Sequence, residues 1–348
     1  MSGGVDSSTG AYLLKEGGFE VIGISMKLWD GGGKCCSLND FEDARKVAQK
    51  LSIPLYTLNL VEEFEKEVVE YFCQEYSNAR TPNPCIICNE KIKFGALLDK
   101  AKKIDAPFIA TGHYAKVEQN LSTQRYSLKK GEDAKKDQSY FLFSLSQIQL
   151  SHIIFPLFNL TKREVRQIAA CAELPVYNKK ESQEICFIPQ KNYNEFLKKR
   201  ALDSFFKPGL IKDKNGRELG EHAGIHLFTV GQRKGIGGGR KKPFYVIEIN
   251  KEENTVVVGE REDGYAKTMQ IAKVNWVSIP EPQEAIFARV KIRYQHPESL
   301  ATIYPLNEKK CRVDFLHPQW AITPGQAAVF YEKDTLLGGG WIEKVGRE

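Results

Sequence analysis

Residues Met1–Gly10 read MSGGVDSSTG and run without a break into AYLLKEG at 11–17. A Gly-Gly turn entering a helix presents unpaired helix amides to an anion, and in open parallel sheets such turns sit outside the carboxyl ends of strands. Gly3 and Gly4 admit the close approach of backbone amides, and the hydroxyls of Ser2, Ser7 and Ser8 offer further donors. Asp6 cannot face a phosphate bare, so it is expected to hold magnesium or to brace the loop. The spacing matches neither G-x-x-x-x-G-K-[ST] nor G-x-G-x-x-G, and a plain Ser/Gly turn ahead of a helix would use the same residues. A turn of this kind needs a strand to deliver it, yet only Met1 precedes Ser2. The first sheet is therefore expected to have an incomplete edge and reduced stability, from a late start or from missing residues that could include an organelle signal.

Outward from the turn, helical and strand patterns alternate to about residue 200. FEDARKVAQKL puts Phe41, Ala44, Val47, Ala48 and Leu51 on one helical face, and LYTLNL follows Pro54 as a short strand. PFIATGHY reads as a buried strand ending at Gly112 and His113, and Thr161 with Glu164 forms a capping box that starts a helix. Such alternation predicts a parallel sheet covered by helices. Beyond residue 200 the texture changes to short strands and Gly-rich turns. AIFARVKIRY alternates Ile286, Ala288, Val290, Ile292 and Tyr294 with Arg289, Lys291 and Arg293, which predicts a half-buried strand with a basic outer face. FYVIEI, NTVVVG and QAAVFY add strands of small β domains, a central one and a terminal barrel.

The 348 residues are too many for one ordinary core, and 27% charged side chains are too many for a membrane protein. The net charge of +6 permits nucleic-acid binding without requiring it. Eight cysteines, unevenly placed, do not make a secreted disulfide scaffold, so a soluble, cytoplasmic monomer is expected. Cys85 and Cys88 lie two residues apart after the rigid Pro82 and Pro84, and Cys186 follows far downstream. A lone C-x-x-C is open among zinc, redox and iron-sulfur chemistry, and zinc would want a fourth ligand. Adjacent Cys35 and Cys36 read as a loop, while Cys73, Cys171 and Cys311 lie in apolar patterns and are expected to be buried. GQRKGIGGGRKK, at 231–242, with Arg233, Lys234, Arg240, Lys241 and Lys242, suits phosphate contact or a surface loop.

SGGVDSS at 2–8 resembles the pyrophosphate loop of N-type ATP pyrophosphatases, which adenylate a substrate and release pyrophosphate. With TPNPC-x-x-CN-x-x-IKF, ATGHYA, KDQSYFL, ICFI, GQRKGIG and TPGQAAVFY in the same order, the whole chain resembles the tRNA-specific 2-thiouridylase family. The resemblance implies an α/β fold: a parallel-sheet ATP pyrophosphatase domain (adenine nucleotide alpha hydrolase-like) at 1–200, a central β-rich tRNA-contacting domain at 201–275 and a C-terminal β-barrel at 276–348. It implies ATP with Mg2+, and sulfur transfer to the wobble uridine of tRNAs for lysine, glutamate and glutamine. By position, Ser2, Gly3, Gly4, Val5, Asp6, Ser7, Met26 and Gly112 resemble ATP contacts. Asn83, Pro84 and Cys85 resemble contacts to the target base. His113, Lys136, Asp137, Gln138, Arg293, Tyr294 and Gln326 resemble contacts to tRNA. Cys88 resembles the nucleophile and Cys186 the persulfide carrier, charged by a sulfur-donor protein and left with Cys88 in a transient disulfide.

One position departs from the family pattern, since several members carry Asp where this chain has Cys85. A thiol cannot copy a carboxylate at neutral pH unless its pKa moves. Cys85, Cys88 and Cys186 could instead hold a 4Fe-4S cluster whose fourth iron carries sulfide. Rival readings are a 4-thiouridine-type enzyme on the same loop, which calls for an RNA-capture domain ahead of it, and an RNA-binding sulfur carrier that consumes no ATP.

Overall fold

The Gly-Gly turn leads directly into α1 (Val5–Glu16), with Gly4 as an extended N-cap. The computed structural model describes residues 1–30, 38–180, 185–188, 193–200, 207–236 and 242–346. Cys35 and Cys36, and Arg240 and Lys241 of the basic loop, lie outside the described residues. After α1 come β1 (Gly23–Lys27), α2 (Leu38–Lys50) and β2 (Leu55–Asn59), and the two strands pair in parallel with Met26 opposite Leu58. The amphipathic spacing of α2 buries Ala44, Val47 and Ala48 as its sequence requires. Met1 lies beside β1, its amino group on the Ile24 carbonyl and its own carbonyl accepting Ser25 Oγ at 2.8 Å.

Two composite helices follow. In the first, α3 (Val61–Phe64) continues through a π-helical turn, Glu65–Val69, into α4 (Glu70–Ser77). In the second, α5 (Pro84–Ile87) continues through a longer π-helical stretch, Cys88–Ala96, into α6 (Leu97–Lys102). β3 (Ile109–Ala110) is only two residues long, because the chain leaves the sheet at Thr111 to pass Gly112 against the first loop. The hairpin β4 (Ala115–Gln119) and β5 (Tyr126–Lys130), α7 (Gln147–Leu150), β6 (Ile153–Ile154) and α8 (Lys162–Cys171) complete the order, with β3 and β6 parallel. The expected capping box on α8 is present, Glu164 Oε2 accepting the Thr161 amide at 2.7 Å. One core lies beneath α1, α2 and α8 around Val5, Val47 and Val165, and another gathers Phe64, Phe72, Cys88, Ile92 and Phe187.

The central β domain comprises β7 (Gly209–Asp213), β8 (Glu218–His222), β9 (Tyr245–Asn250) and β10 (Thr255–Gly259) in the order β8-β7-β10-β9. A terminal barrel follows: β11 (Tyr265–Trp276), β12 (Ile286–Lys291), β13 (Ser299–Leu306), β14 (Lys310–Trp320), β15 (Ala327–Glu332) and β16 (Thr335–Gly346). Pairing of β11 with both β14 and β16 closes the six strands. β11, most of which the expected bounds of 201–275 placed in the central domain, therefore lies in the barrel, where Met269, Ile271 and Val274 face its core. Along β12 the alternation buries Ala288 and Val290 and exposes Arg289, but the basic face stops short. Past the strand end Arg293 turns inward, donating from Nη2 to the Ala321 carbonyl.

The first domain and the barrel share one sheet. β5 pairs with β16, Leu128 opposite Leu336, and a single core runs through Ile86, Phe94, Leu128, Tyr140, Ala327, Val329 and Tyr331. The helix that carries the cysteines is thus packed directly on barrel strands. No helix among the described residues is long and apolar enough to cross a membrane.

Candidate active site

The loop is held in shape from several directions. Gly3 has φ +67°, and a Cβ there would lie 2.3 Å from the Asp40 carbonyl oxygen, so this position takes glycine alone. Ser7 and Ser8 donate to the Gly4 carbonyl at 3.1 and 2.9 Å, and Ser7 Oγ accepts the Ser2 amide at 3.2 Å. These hydroxyls close the turn upon itself, Ser8 is fully buried, and the amides of the first helical turn have no partner four residues back within the helix. Val5 turns its side chain into the core beneath α1 and offers only its backbone.

Asp6 braces the loop. Its Oδ1 accepts Tyr114 Oη at 2.8 Å, and Lys162 Nζ lies 2.7 Å from both carboxylate oxygens. Gly112 is pressed against the same turn, where a Cβ would come within 2.8 Å of the Asp6 and Ser7 backbone. Met26 packs between two cores from the end of β1. Lys162 was not singled out by the sequence reading. A signal existed, since Lys162 and Arg163 occupy the first turn of α8, where the helix dipole disfavours cations.

The cysteine helix sits against the barrel. Asn83 is the N-cap of α5 and buried Pro84 its first residue. Two residues separate Cys85, open to solvent, from Cys88, 8% exposed in the aromatic core that Cys186 also packs against. The protein mass around Cys85 pushes its thiol up to about 11, the neighbouring Cys186 adding to the rise and the Lys93 ammonium opposing it. The direction of that shift takes the Cys85 thiol away from a carboxylate's behaviour. Among the described residues no group of three or more His, Cys, Asp or Glu side chains is arranged to hold a metal ion. Cys85, Cys88 and Cys186, the expected cluster set, form no such group in this structure, with Cys85 exposed and Cys88 in the core. None of the six described cysteines is in a disulfide, and Cys171, expected inside, is exposed.

Gly95 suits the close approach of this π-helical backbone. A Cβ on Gly95 would stand 2.9 Å from the Glu90 carbonyl oxygen, five residues back. Gln149 Nε2 then serves the Glu90 and Phe94 carbonyls at 2.9 and 2.8 Å, and Asn89 Nδ2 donates to Phe141 O at 3.1 Å. Gly→Ala inside an ordinary helix stabilises by roughly 0.5–1 kcal/mol. Here Gly95→Ala is expected to destabilise by about 1–3 kcal/mol instead, since the added methyl meets backbone. Urea unfolding of the variant checks the sign.

Residues expected to meet RNA divide into two groups. His113 is buried, its Nδ1 2.6 Å from Thr111 Oγ1 and its ring against Phe94 and Phe155, and burial holds its pKa well below the ordinary value, with the Lys93 charge adding to the effect. Asp137 is also buried, accepting the Gly131 and Ser139 amides at 3.3 and 3.1 Å. Both turn inward and serve the fold. Lys136, Gln138, Arg293, Tyr294 and Gln326 remain partly exposed. Gln138 Oε1 accepts the Tyr114 amide at 3.1 Å, and the Tyr294 ring stands 4.4 Å from that of Phe141. Gln326 donates to Thr81 and Pro82 of the cysteine segment.

A glycine loop on a parallel sheet, followed by a β-rich middle domain and a closed barrel, defines a HUP-domain protein with two appended β domains. Family models agree: the tRNA methyl transferase HUP domain matches residues 1–190, the tRNA methyl transferase PRC-barrel domain 194–260 and the aminomethyltransferase beta-barrel domain 266–342. Among curated relatives, the chain is 51% identical to tRNA-specific 2-thiouridylase MnmA 1 of Caldanaerobacter subterraneus subsp. tengcongensis, covering 100% of this chain and 97% of the relative. It is 49% identical to tRNA-specific 2-thiouridylase MnmA of Halothermothrix orenii, covering 99% and 98%, and 47% identical to that of Moorella thermoacetica, covering 100% and 99%. The chain belongs to the tRNA-specific 2-thiouridylase family.

Proposed function

We propose that this protein is an ATP-dependent tRNA-uridine 2-sulfurtransferase that thiolates the wobble uridine of tRNAs for lysine, glutamate and glutamine. The observation that carries the reading is the joining, in one domain, of an anion-binding glycine loop with a helix bearing Cys88 against the core that Cys186 also touches. The loop amides at the start of α1 hold the phosphates of ATP, with Mg2+ as their counter-ion, and Asp6 acts through the loop shape rather than on the phosphates. The uracil 2-oxygen is adenylated with loss of pyrophosphate. Cys186 takes a sulfane sulfur from a donor protein and becomes a persulfide.

Transfer then balances in two exchanges. The terminal sulfur of the persulfide attacks the uracil C2, and the bond from C2 to the adenylated oxygen breaks as AMP leaves. Cys88 as thiolate attacks the Cys186 sulfur, so the sulfur-sulfur bond to the base breaks and a Cys88–Cys186 disulfide forms, which a dithiol reductant reopens. Alternatively Cys88 frees the terminal sulfur first, as hydrosulfide, with the same products. Lys93, one π-helical turn beyond Cys88 and within electrostatic reach of Cys85, lends positive charge to the cysteine helix. Lys136, Gln138, Arg293, Tyr294 and Gln326 are the remaining candidates for tRNA contact, and cytoplasmic tRNA is the expected partner.

The test is stoichiometry. Unmodified substrate tRNA, ATP and a persulfide donor should yield one pyrophosphate for each thiolated tRNA, and tRNA lacking the wobble uridine should yield neither. Thiolation without pyrophosphate release would reject the adenylation step.

A further inference from the structure

The segment that leads to Cys186 is tied to the glycine loop by the two helices that hold the loop. One of them is α2. A Cβ on Gly3 would lie 2.3 Å from the Asp40 carbonyl oxygen, so the loop backbone rests on the first turn of this helix. The Asp40 side chain serves the second partner. Lys179 Nζ donates to Asp40 Oδ1 at 2.7 Å and to Asp43 Oδ2, one turn further on, at 2.6 Å. The other helix is α8, whose first residue, Lys162, holds Asp6 of the loop. Arg166, one turn further along α8, donates from Nη1 to the Tyr177 carbonyl at 2.9 Å and from Nη2 to the Lys179 carbonyl at 3.0 Å.

Residues 177–179 are thus gripped through a side chain and through the backbone. The Lys179 amide also donates to the Val176 carbonyl at 3.0 Å, and Val176 is seated in the core beneath α1, α2 and α8. Cys186 follows Lys179 by seven positions. Directly after Cys186, buried Phe187 places its ring 5.6 Å from Phe64 and 5.4 Å from both Phe72 and Phe196. Cys186 therefore lies between two anchors, one fixed to the glycine loop and one set in the aromatic core that also holds Cys88. Seven residues reach at most about 25 Å, so the first anchor limits where Cys186 can stand.

We propose that Lys179 and Arg166 are positioning residues for sulfur transfer: they fix the segment leading to Cys186 against the nucleotide loop, so that the sulfane sulfur arrives where the base is adenylated. The proposal rests on the reading of Cys186 as sulfur carrier and of the loop as nucleotide site. It gives α2 and α8 one shared task, since each touches the loop with one residue and the Cys186 segment with another.

The test uses full-length, persulfide-loaded protein in excess over tRNA at saturating ATP, with pyrophosphate and thiolated tRNA followed in the same single turnover. Lys179→Met removes the ion pairs and keeps an unbranched stem. It should slow thiolation about tenfold to a hundredfold while pyrophosphate release stays within about threefold, as expected when one reacting group is misplaced and the other is formed normally. Arg166→Met, which leaves the ion pairs in place, should give the same split. Lys179→Arg restores a cation between the two carboxylates and should recover most of the thiolation. The combined variant Asp40→Asn, Asp43→Asn and Lys179→Met removes the charges together with the tie and should stay slow. Iodoacetamide labelling of Cys186 in the tRNA-free protein, read by peptide mass spectrometry, should change in rate in Lys179→Met and return in Lys179→Arg. Unchanged thiolation in Lys179→Met, an equal fall in pyrophosphate release and thiolation, recovery in the combined variant, or unchanged Cys186 labelling would each overturn the proposal. Full thiolation in Cys186→Ala would instead reject the underlying site reading, and Cys186 labelling in Lys179→Met would still decide whether the tie exists.

Discussion

Cys88→Ala is expected to lower tRNA thiolation by at least about a thousandfold, the scale on which a nucleophile's removal is felt, with tRNA affinity within about twofold. Cys186→Ala should do the same. Cys88 packs among Phe72 and Ile92, so its loss leaves a small apolar gap worth about 1 kcal/mol, and the variant should fold. Cys85→Ala separates two chemistries. With its thiol pushed up to about 11 by the protein around it, Cys85 is disfavoured as a thiolate at pH 7. Its replacement should cost less than about tenfold if two cysteines carry the sulfur. Gels containing an organomercurial, which retard thiolated tRNA, measure all three variants. Equal loss in Cys85→Ala and Cys88→Ala would mean that the three thiols act as one set, and the two-cysteine route would be wrong.

The parts of this protein that were legible in its sequence are those written in neighbouring residues. The helix of Ala44, Val47 and Ala48, the capping box of Thr161 and Glu164 and the alternation of Ala288 and Val290 each need only a dozen consecutive positions, and each is present. The glycine turn and the cysteine spacing were legible as chemistry for the same reason. The contacts that shape the site were not. Lys162 meets Asp6 across 156 positions and Gln326 meets Thr81 across 245, and no local period records such a pairing. β11 falls across the expected boundary at 275 because neither strand texture nor a set of short motifs says which sheet a strand joins. The π-helix escaped because the residues from Cys88 to Ala96 carry no pattern that an ordinary helix would not also carry. Side chains such as His113 and Asp137 carry polar groups that on the page suit RNA and in the fold close internal bonds.

Lys162→Met is expected to slow ATP-dependent thiolation about a hundredfold and to raise the ATP concentration that it needs, because the loop would then hold a carboxylate without its cation where phosphates must sit. In the native protein the Lys162 and Asp6 side chains are 12% and 32% exposed, so the pair is only partly shielded from water. Breaking a fully buried pair costs roughly 3–5 kcal/mol, and with this exposure about 2 kcal/mol is the fitting figure. That leaves a folded variant to measure. Asp6→Asn alone removes the repulsive charge and should be the milder change, since Tyr114 Oη can still donate to the amide oxygen at that position. The double variant, Asp6→Asn with Lys162→Met, decides the role of the lysine. If Lys162 works by neutralising Asp6, the double variant should recover about tenfold over Lys162→Met, a coupling that single losses cannot add up to. If it is no better than Lys162→Met, the ammonium touches the nucleotide itself, and the ion pair in this structure is the state the loop leaves when ATP arrives.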